Sequence, residues 1–425
     1  MCGDADPGNL LDSALVARRN WYCYNKLDHR VWPKTLRRGK FSRSWWPGGV
    51  VKNEGFALDL PETHTVPVTW IRETACPSIR WRTVTEILPT GSATEADVAQ
   101  LRQDVAQYKT VKQIVNKQRA NGSWSGNILG IAPAKAQGIA DAGTVAQYRR
   151  LLELGLTPME RPFRIANRLL FRILSRDDDP ALLFEYQKAA KNNQLLGEWV
   201  RDLMREGVTA ALAQARRHED PRLRGSAHRI VTQVSQFLRS DLADKPIVRK
   251  GSRNILHPDA RPPTVFLVSM LAFMPRLQRE RAGFIERLGA HLTRPTTKRT
   301  YVIQPGRKAL KPTFHLLGEP LAADSAGNPK DLPFALHWIE MLARLKLLEH
   351  SPVAVRILTK LLKDCDEQGV WDPRNLRAVP KSASGLANYA FPLEADVRSP
   401  DGKKADVTFR LALIAKLAGW TLRYT

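Results

Sequence analysis

The sequence predicts an all-α chain of repeated helical hairpins, on three observations. Apolar residues recur at helical spacing through most of its 425 residues, helix starts of one type recur, and no run of alternating apolar and polar residues marks a sheet strand. Leu101, Val105, Tyr108, Val111 and Ile114 form one such stripe, with Arg102, Asp104, Lys109 and Lys112 on the other faces. This predicts one amphipathic helix, stopped where Asn121-Gly122 supplies residues able to take positive φ. Trp124 can then fold back over the end of its own helix, while the Gln118 amide bonds exposed backbone groups. Val353, Ile357, Leu358, Leu361 and Leu362 form a second stripe, closed by Gln368-Gly369-Val370-Trp371 about 250 residues later. The same grammar occurring twice predicts an internal repeat.

In chain order, residues 1–66 form a basic, aromatic extension without helical or alternating period. Trp21, Tyr22, Tyr24, Trp32, Trp45 and Trp46 lie among Arg19, Lys26, Arg30, Lys34, Arg37 and Arg38. Such interleaving suits base stacking with phosphate neutralisation, and equally an irregular, loosely ordered arm. Residues 67–243 read as N-terminal helical repeats. A helix starts at Cys76-Pro77, with Pro at the first helical position, and similar starts recur at Asp179-Pro180, Asp220-Pro221 and Ser351-Pro352. Helices are expected over 148–154, 164–174, 182–190, 195–215 and 227–242. Residues 244–330 read as one helix, 265–288, between basic loops, and residues 331–425 as C-terminal repeats holding the second turn. There Leu332, Ala335, Leu336, Ile339 and Leu342 share a face. Residues 374–401 are irregular, and Val407, Leu411, Ile414 and Leu417 mark the buried side of a last helix that Gly419 ends.

The stretch Gln118 to Trp124 is similar to the Gln-x-x-x-Gly-x-Trp repeat of squalene and hopene cyclases and related prenyltransferase-like proteins. In the second copy Gly369 and Trp371 keep the pattern and Cys365 stands where Gln belongs. The resemblance implies an α/α toroid of concentric helices. The Asp- or Ser-Pro starts resemble the second helix of HEAT-like repeats, which implies a curved array of helical hairpin repeats instead.

Cyclases of the resembled group protonate a polyene through Asp-x-Asp-Asp. Here Arg176-Asp177-Asp178-Asp179-Pro180 has Arg176 at the first position, so the run reads first as an acidic, capped helix start. Asp177, Asp178, Asp179 and His315 are the candidate catalytic residues. His315 lies four residues before Glu319, and His337 follows in the next helix, a set able to move protons if they share a cavity. The zinc ligands of the prenyltransferases have no counterpart at local spacing, phosphate-binding glycine loops are absent, and no metal or cofactor is expected. Cys2, Cys23, Cys76 and Cys365 are dispersed, which indicates neither a zinc knuckle nor a disulfide framework.

The charge is strongly basic, 66 Lys and Arg against 42 Asp and Glu for a net +24, and favours anionic partners without bearing on the fold. No segment reaches the roughly 18 consecutive apolar residues of a membrane span, and a cytoplasmic protein is expected. Three functions remain, and none assigns a reaction. The first is a noncatalytic or degenerate cyclase-like toroid binding a hydrophobic, isoprenoid-like small molecule, with Trp124, Phe314, Trp338, Trp371 and Phe391 lining one pocket. The second is a HEAT-like protein binding DNA or RNA, as alkylation-repair glycosylases of that architecture do, through Arg216, Arg217, Arg224 and Arg229. The third is a protein interaction scaffold.

Overall fold

A computed structural model describes residues 60–130 and 143–425, apart from Asp177, Lys298, Asn375, Pro380, Ala383 and Val397. Residues 1–59, with their base-stacking reading, and the candidate Asp177 lie outside the described residues. The fold is mostly helical, so the all-α class holds.

The first described elements are strand β1 (Thr63–Val66), α1 (Val68–Thr74) and α2 (Pro77–Arg82), the last beginning at Cys76-Pro77 as expected and running on into a π-helical turn, Thr83–Ile87. The stripe from Leu101 to Ile114 belongs to two helices rather than one, α3 (Glu95–Gln107) and α4 (Lys109–Asn116). Tyr108 interrupts them at φ −57° and ψ 129°. Its hydroxyl donates to Leu393 O at 3.0 Å, so a distant loop fixes the break while the buried face continues across it. Then come α5 (Thr144–Glu153), α6 (Arg161–Ser175), a 3-10 turn (Pro180–Tyr186), the single turn α7 (Gln187–Ala190), α8 (Gln194–Gln214) and α9 (Pro221–Leu238). The helix expected over 182–190 is therefore mostly 3-10, kinked where Phe184 sits at φ 39°.

The basic segment after Lys245 forms a hairpin, β2 (Ile247–Lys250) with β3 (Arg253–Leu256), in the stretch read as loop. The helix expected over 265–288 is three: α10 (Val265–Ala272), α11 (Pro275–Glu280) and α12 (Ala282–Leu292). Pro275 cannot donate a helical hydrogen bond, and its ring excludes the preceding turn, so the apolar run is cut there. After an irregular span, α13 (Leu332–Leu345) and α14 (Pro352–Lys363) follow. Finally α15 (Pro400–Ala418) is capped by Ser399 and ended by Gly419 at φ 87°, and β4 (Thr421–Tyr424) closes the described chain.

Packing follows a regular order. Helix α8 lies against α5 and α10, α10 against α13, and α13 against α15, which packs on α1, α2 and the π turn. Helices α6 and α9 also pack on α8 and on each other, α12 on α9, and α14 on α13. The ends meet as well, since β1 and β4 pair in parallel from Thr63↔Thr421 to Val66↔Tyr424. One continuous apolar core includes residues from every one of these helices, with Leu182 and Leu183 of the 3-10 turn and Ala190 of α7 among them, and a small second cluster of Phe237, Leu256, Ala260 and Ile303 lies under the hairpin. No described helix is long and apolar enough to cross a membrane.

Candidate functional site

The two tryptophan turns have the same local geometry. In the first, Arg119 N donates to Ser123 O at 2.9 Å, Gly122 sits at φ 88° and Trp124 N donates to Thr144 Oγ1 at 3.0 Å. In the second, Asp366 N donates to Val370 O at 2.9 Å, Gly369 sits at φ 91° and Trp371 N donates to Thr408 Oγ1 at 3.0 Å. Each Thr belongs to a following helix, α5 or α15, so each turn ties two helices together. Gly is required at both positions by conformation and space: a Cβ on Gly122 would lie 2.7 Å from Ile165 O, and one on Gly369 2.2 Å from Thr65 O. The Gln118 amide donates to Pro162 O at 2.8 Å, binding its turn to α6. The copies part at the indole. Trp124 Nε1 donates to Ile114 O at 2.8 Å, whereas the matching carbonyl, Leu361 O, receives the Cys365 thiol at 3.6 Å. Trp371 Nε1 has no partner among the described residues.

A second feature went unread in the sequence. Eight side chains from six helices enter a single hydrogen-bonded network: Arg82 of α2, Arg149 and Glu153 of α5, Gln214 of α8, Ser269 of α10, Glu340 and Arg344 of α13, and Arg410 of α15. Glu153 accepts from Arg82 at 2.6 Å, Arg410 at 2.6 Å and Gln214 at 2.7 Å. Arg410 also donates to Glu340, which accepts from Arg344 at 2.9 Å. Arg149 donates to Gln214 at 2.7 Å and to Ser269. Burial works against ionisation of Glu153, but Arg82 and Arg410 outweigh it and hold the carboxyl well below its ordinary range. The same balance keeps Glu340 low, through Arg410 and Arg344. Glu153 and Glu340 are thus held as carboxylates against Arg82, Arg344 and Arg410, whereas Arg149 faces the neutral Gln214, Ser269 and Tyr389.

Residues 389–394 lie across it. Tyr389 presents its ring to the Arg149 guanidinium, 3.9 Å from the centroid, and shares a 2.7 Å hydrogen bond with His337 Nε2. Ala390 O accepts from Arg410 at 2.7 Å, and Pro392 O from Arg150. Asp406 receives Leu393 N and Glu394 N at 2.7 and 2.9 Å, anchoring the segment to α15. Burial lowers His337 to about 4, with Arg149 adding to the effect, so its ring is neutral at pH 7. Among the described residues here, Glu153 and Glu340 are engaged by arginines and Asp406 by backbone amides.

Space for a ligand lies instead beside the N-terminal ends of α10 and α13. A half-open cavity of about 260 Å³ has an apolar lining that includes Val265, Leu316, Leu321, Phe334 and Leu386. Thr313, His315, Lys330, Asp331 and Ser384 supply its polar edge. Asp331 is already engaged, capping α13 through Phe334 N at 3.0 Å and accepting from Ser382 Oγ at 2.8 Å. His315 stacks on Trp199 with centroids 6.3 Å apart, and burial pushes it down to about 4, so its ring is a neutral imidazole at pH 7.

The other expected residues are dispersed. Trp124 and Trp371 are buried in their separate turns, Phe314 packs on Phe266 with centroids 4.8 Å apart, Trp338 stacks on Phe334 at 5.9 Å, and Phe391 is buried beside the network. None of these five lines the cavity. Asp178 is exposed, and Asp179 caps its helical turn through Ala181 N at 2.9 Å and pairs with Arg172 at 3.1 Å. Glu319 turns from His315 to Leu321 N and Ser351 Oγ, at 3.0 and 2.5 Å. Arg216 is exposed, Arg217 donates to Pro158 O at 2.6 Å, and Arg224 and Arg229 point about 140° apart around α9, so the four do not share one face. Among the described residues no cluster of His, Cys, Asp and Glu is placed to hold a metal ion. No protein-family model, no curated protein and no solved structure matches the chain.

Proposed function

We propose that the described helices form an α/α toroid that binds a small hydrophobic molecule without transforming it. The cavity beside His315 is the observation that carries the ligand reading: it is concave, largely apolar and edged by a few polar groups, as small-molecule sites are. Three features support the toroid. Six helices contribute side chains to a common hydrogen-bonded network, the last helix packs on the first two, and the strands flanking them pair. Two features support a noncatalytic role. The carboxylates of the network, Glu153 and Glu340, are paired with arginines, and Asp179, one of the two described acids in the cyclase-like run, serves as a helix cap.

The ligand reading is tested by filling the cavity from its exposed mouth. Ala322→Trp adds an indole there without touching the core, and binding of a hydrophobic fluorescent probe, with farnesol as competitor, is followed by titration. The expected result is a loss of at least about tenfold in affinity, equivalent to about 1.4 kcal/mol. Unchanged probe binding by the Ala322→Trp protein would remove the cavity from consideration.

A further inference from the structure

Helix α6 carries four arginines on one face. Arg161, Arg164, Arg168 and Arg172 are all exposed and follow a spacing of three or four residues, so they form a single row about 16 Å long. Arg172 is paired with Asp179, whereas the side chains of Arg161, Arg164 and Arg168 have no hydrogen bond or ion pair among the described residues. Like charges at this spacing repel, so the row destabilises its own helix unless an external anion answers it. Its flanks are basic too. The first tryptophan turn, with exposed Lys117 and Arg119, is bound to α6 by Gln118, and the groove on the row's edge holds Arg102 beside Arg161, Arg164 and the exposed Met159. The nearest carboxylate in that groove, Glu160, lies 3.8 Å from Arg102.

We propose that this row is a docking surface for the phosphate backbone of a nucleic-acid duplex. Guanidinium groups match phosphate oxygens bidentately, and a straight row on a rigid helix suits a regular polyanion better than a flexible one. Single strands are gripped by stacking on exposed aromatics. Among the described residues Tyr424 is the one strongly exposed large aromatic, and it lies on β4 rather than on this face. Recognition is therefore by backbone, independent of base sequence. The surface is distinct from the ligand cavity and does not depend on it.

The test uses the full chain and a short DNA duplex of mixed sequence, with affinity read by fluorescence anisotropy between about 50 and 200 mM salt. Arg161→Gln, Arg164→Gln and Arg168→Gln combined should weaken binding and flatten the plot of log affinity against log salt by up to about 2.7, at about 0.9 per lost phosphate contact. The corresponding triple Lys variant should keep the slope while binding more weakly, and also serves if the Gln protein folds poorly. A control with the same loss of charge, Arg249→Gln, Lys250→Gln and Arg253→Gln on the hairpin, should behave as wild type. The proposal fails if the α6 variants bind as wild type does, or if the hairpin control loses as much. Equal competition by a polyglutamate peptide or by phosphatidylglycerol vesicles would also overturn the choice of nucleic acid.

Discussion

Glu153 accepts hydrogen bonds from three side chains on three different helices, two of them buried arginines. Glu153→Gln keeps the shape but leaves Arg82 and Arg410 facing each other without their shared counter-charge. Breaking a buried pair in this way is expected to cost about 3–5 kcal/mol, read as a shift in the denaturant midpoint. Glu86→Gln, which removes a partner of Arg82 at the partly exposed edge, should cost about 1 kcal/mol or less. Little of this was legible in the residue string, because Glu153 and Arg82 look like ordinary surface charges on amphipathic helices. Arg410 did carry a signal. It stands within Val407 to Ile414, a stretch too apolar around its whole circumference to be a surface helix, and every residue from Ala405 to Ala415 is buried.

At the scale of elements, the tryptophan turns were readable because their geometry is local. A glycine forced to positive φ, a helix ending before it and an indole after it are all written within eight residues. Their tertiary anchors were not readable: Thr144 lies 20 residues beyond Trp124, and Thr408 lies 37 beyond Trp371. If the turns are equivalent joints, Thr144→Val and Thr408→Val should each leave one buried tryptophan amide unpaired. Each should cost about 1–3 kcal/mol by urea unfolding, with the Thr144 loss the larger because its hydroxyl also donates to Asn127 O at 2.8 Å. Helix boundaries failed where distant contacts intervene, as at Tyr108, whose break depends on Leu393. Pro275 is the opposite case, a cut that the sequence states openly and that the periodic apolar run around it obscured.

For the molecule as a whole, the pairing of β1 with β4 joins segments more than three hundred residues apart. A variant lacking Thr421–Thr425 loses that ladder, the Tyr424 hydroxyl bond to Ile87 O and the bond from Thr425 N to Val66 O. At about 1 kcal/mol for each hydrogen bond, the midpoint of thermal unfolding should fall by several degrees, which calorimetry would measure. The all-α class and most helix positions followed from apolar periodicity, which is a property of short windows. The order in which helices neighbour one another, and the charged network that six of them share, depend on contacts between residues far apart in the chain.

The near-complete enclosure of α15 has a consequence for synthesis. Until that helix emerges from the ribosome, Glu153 and Glu340 lack Arg410 and the faces that will surround it remain wet. Assembly of the interior must therefore wait for the 257 residues that separate Glu153 from Arg410, and the nascent chain is exposed to aggregation for correspondingly longer.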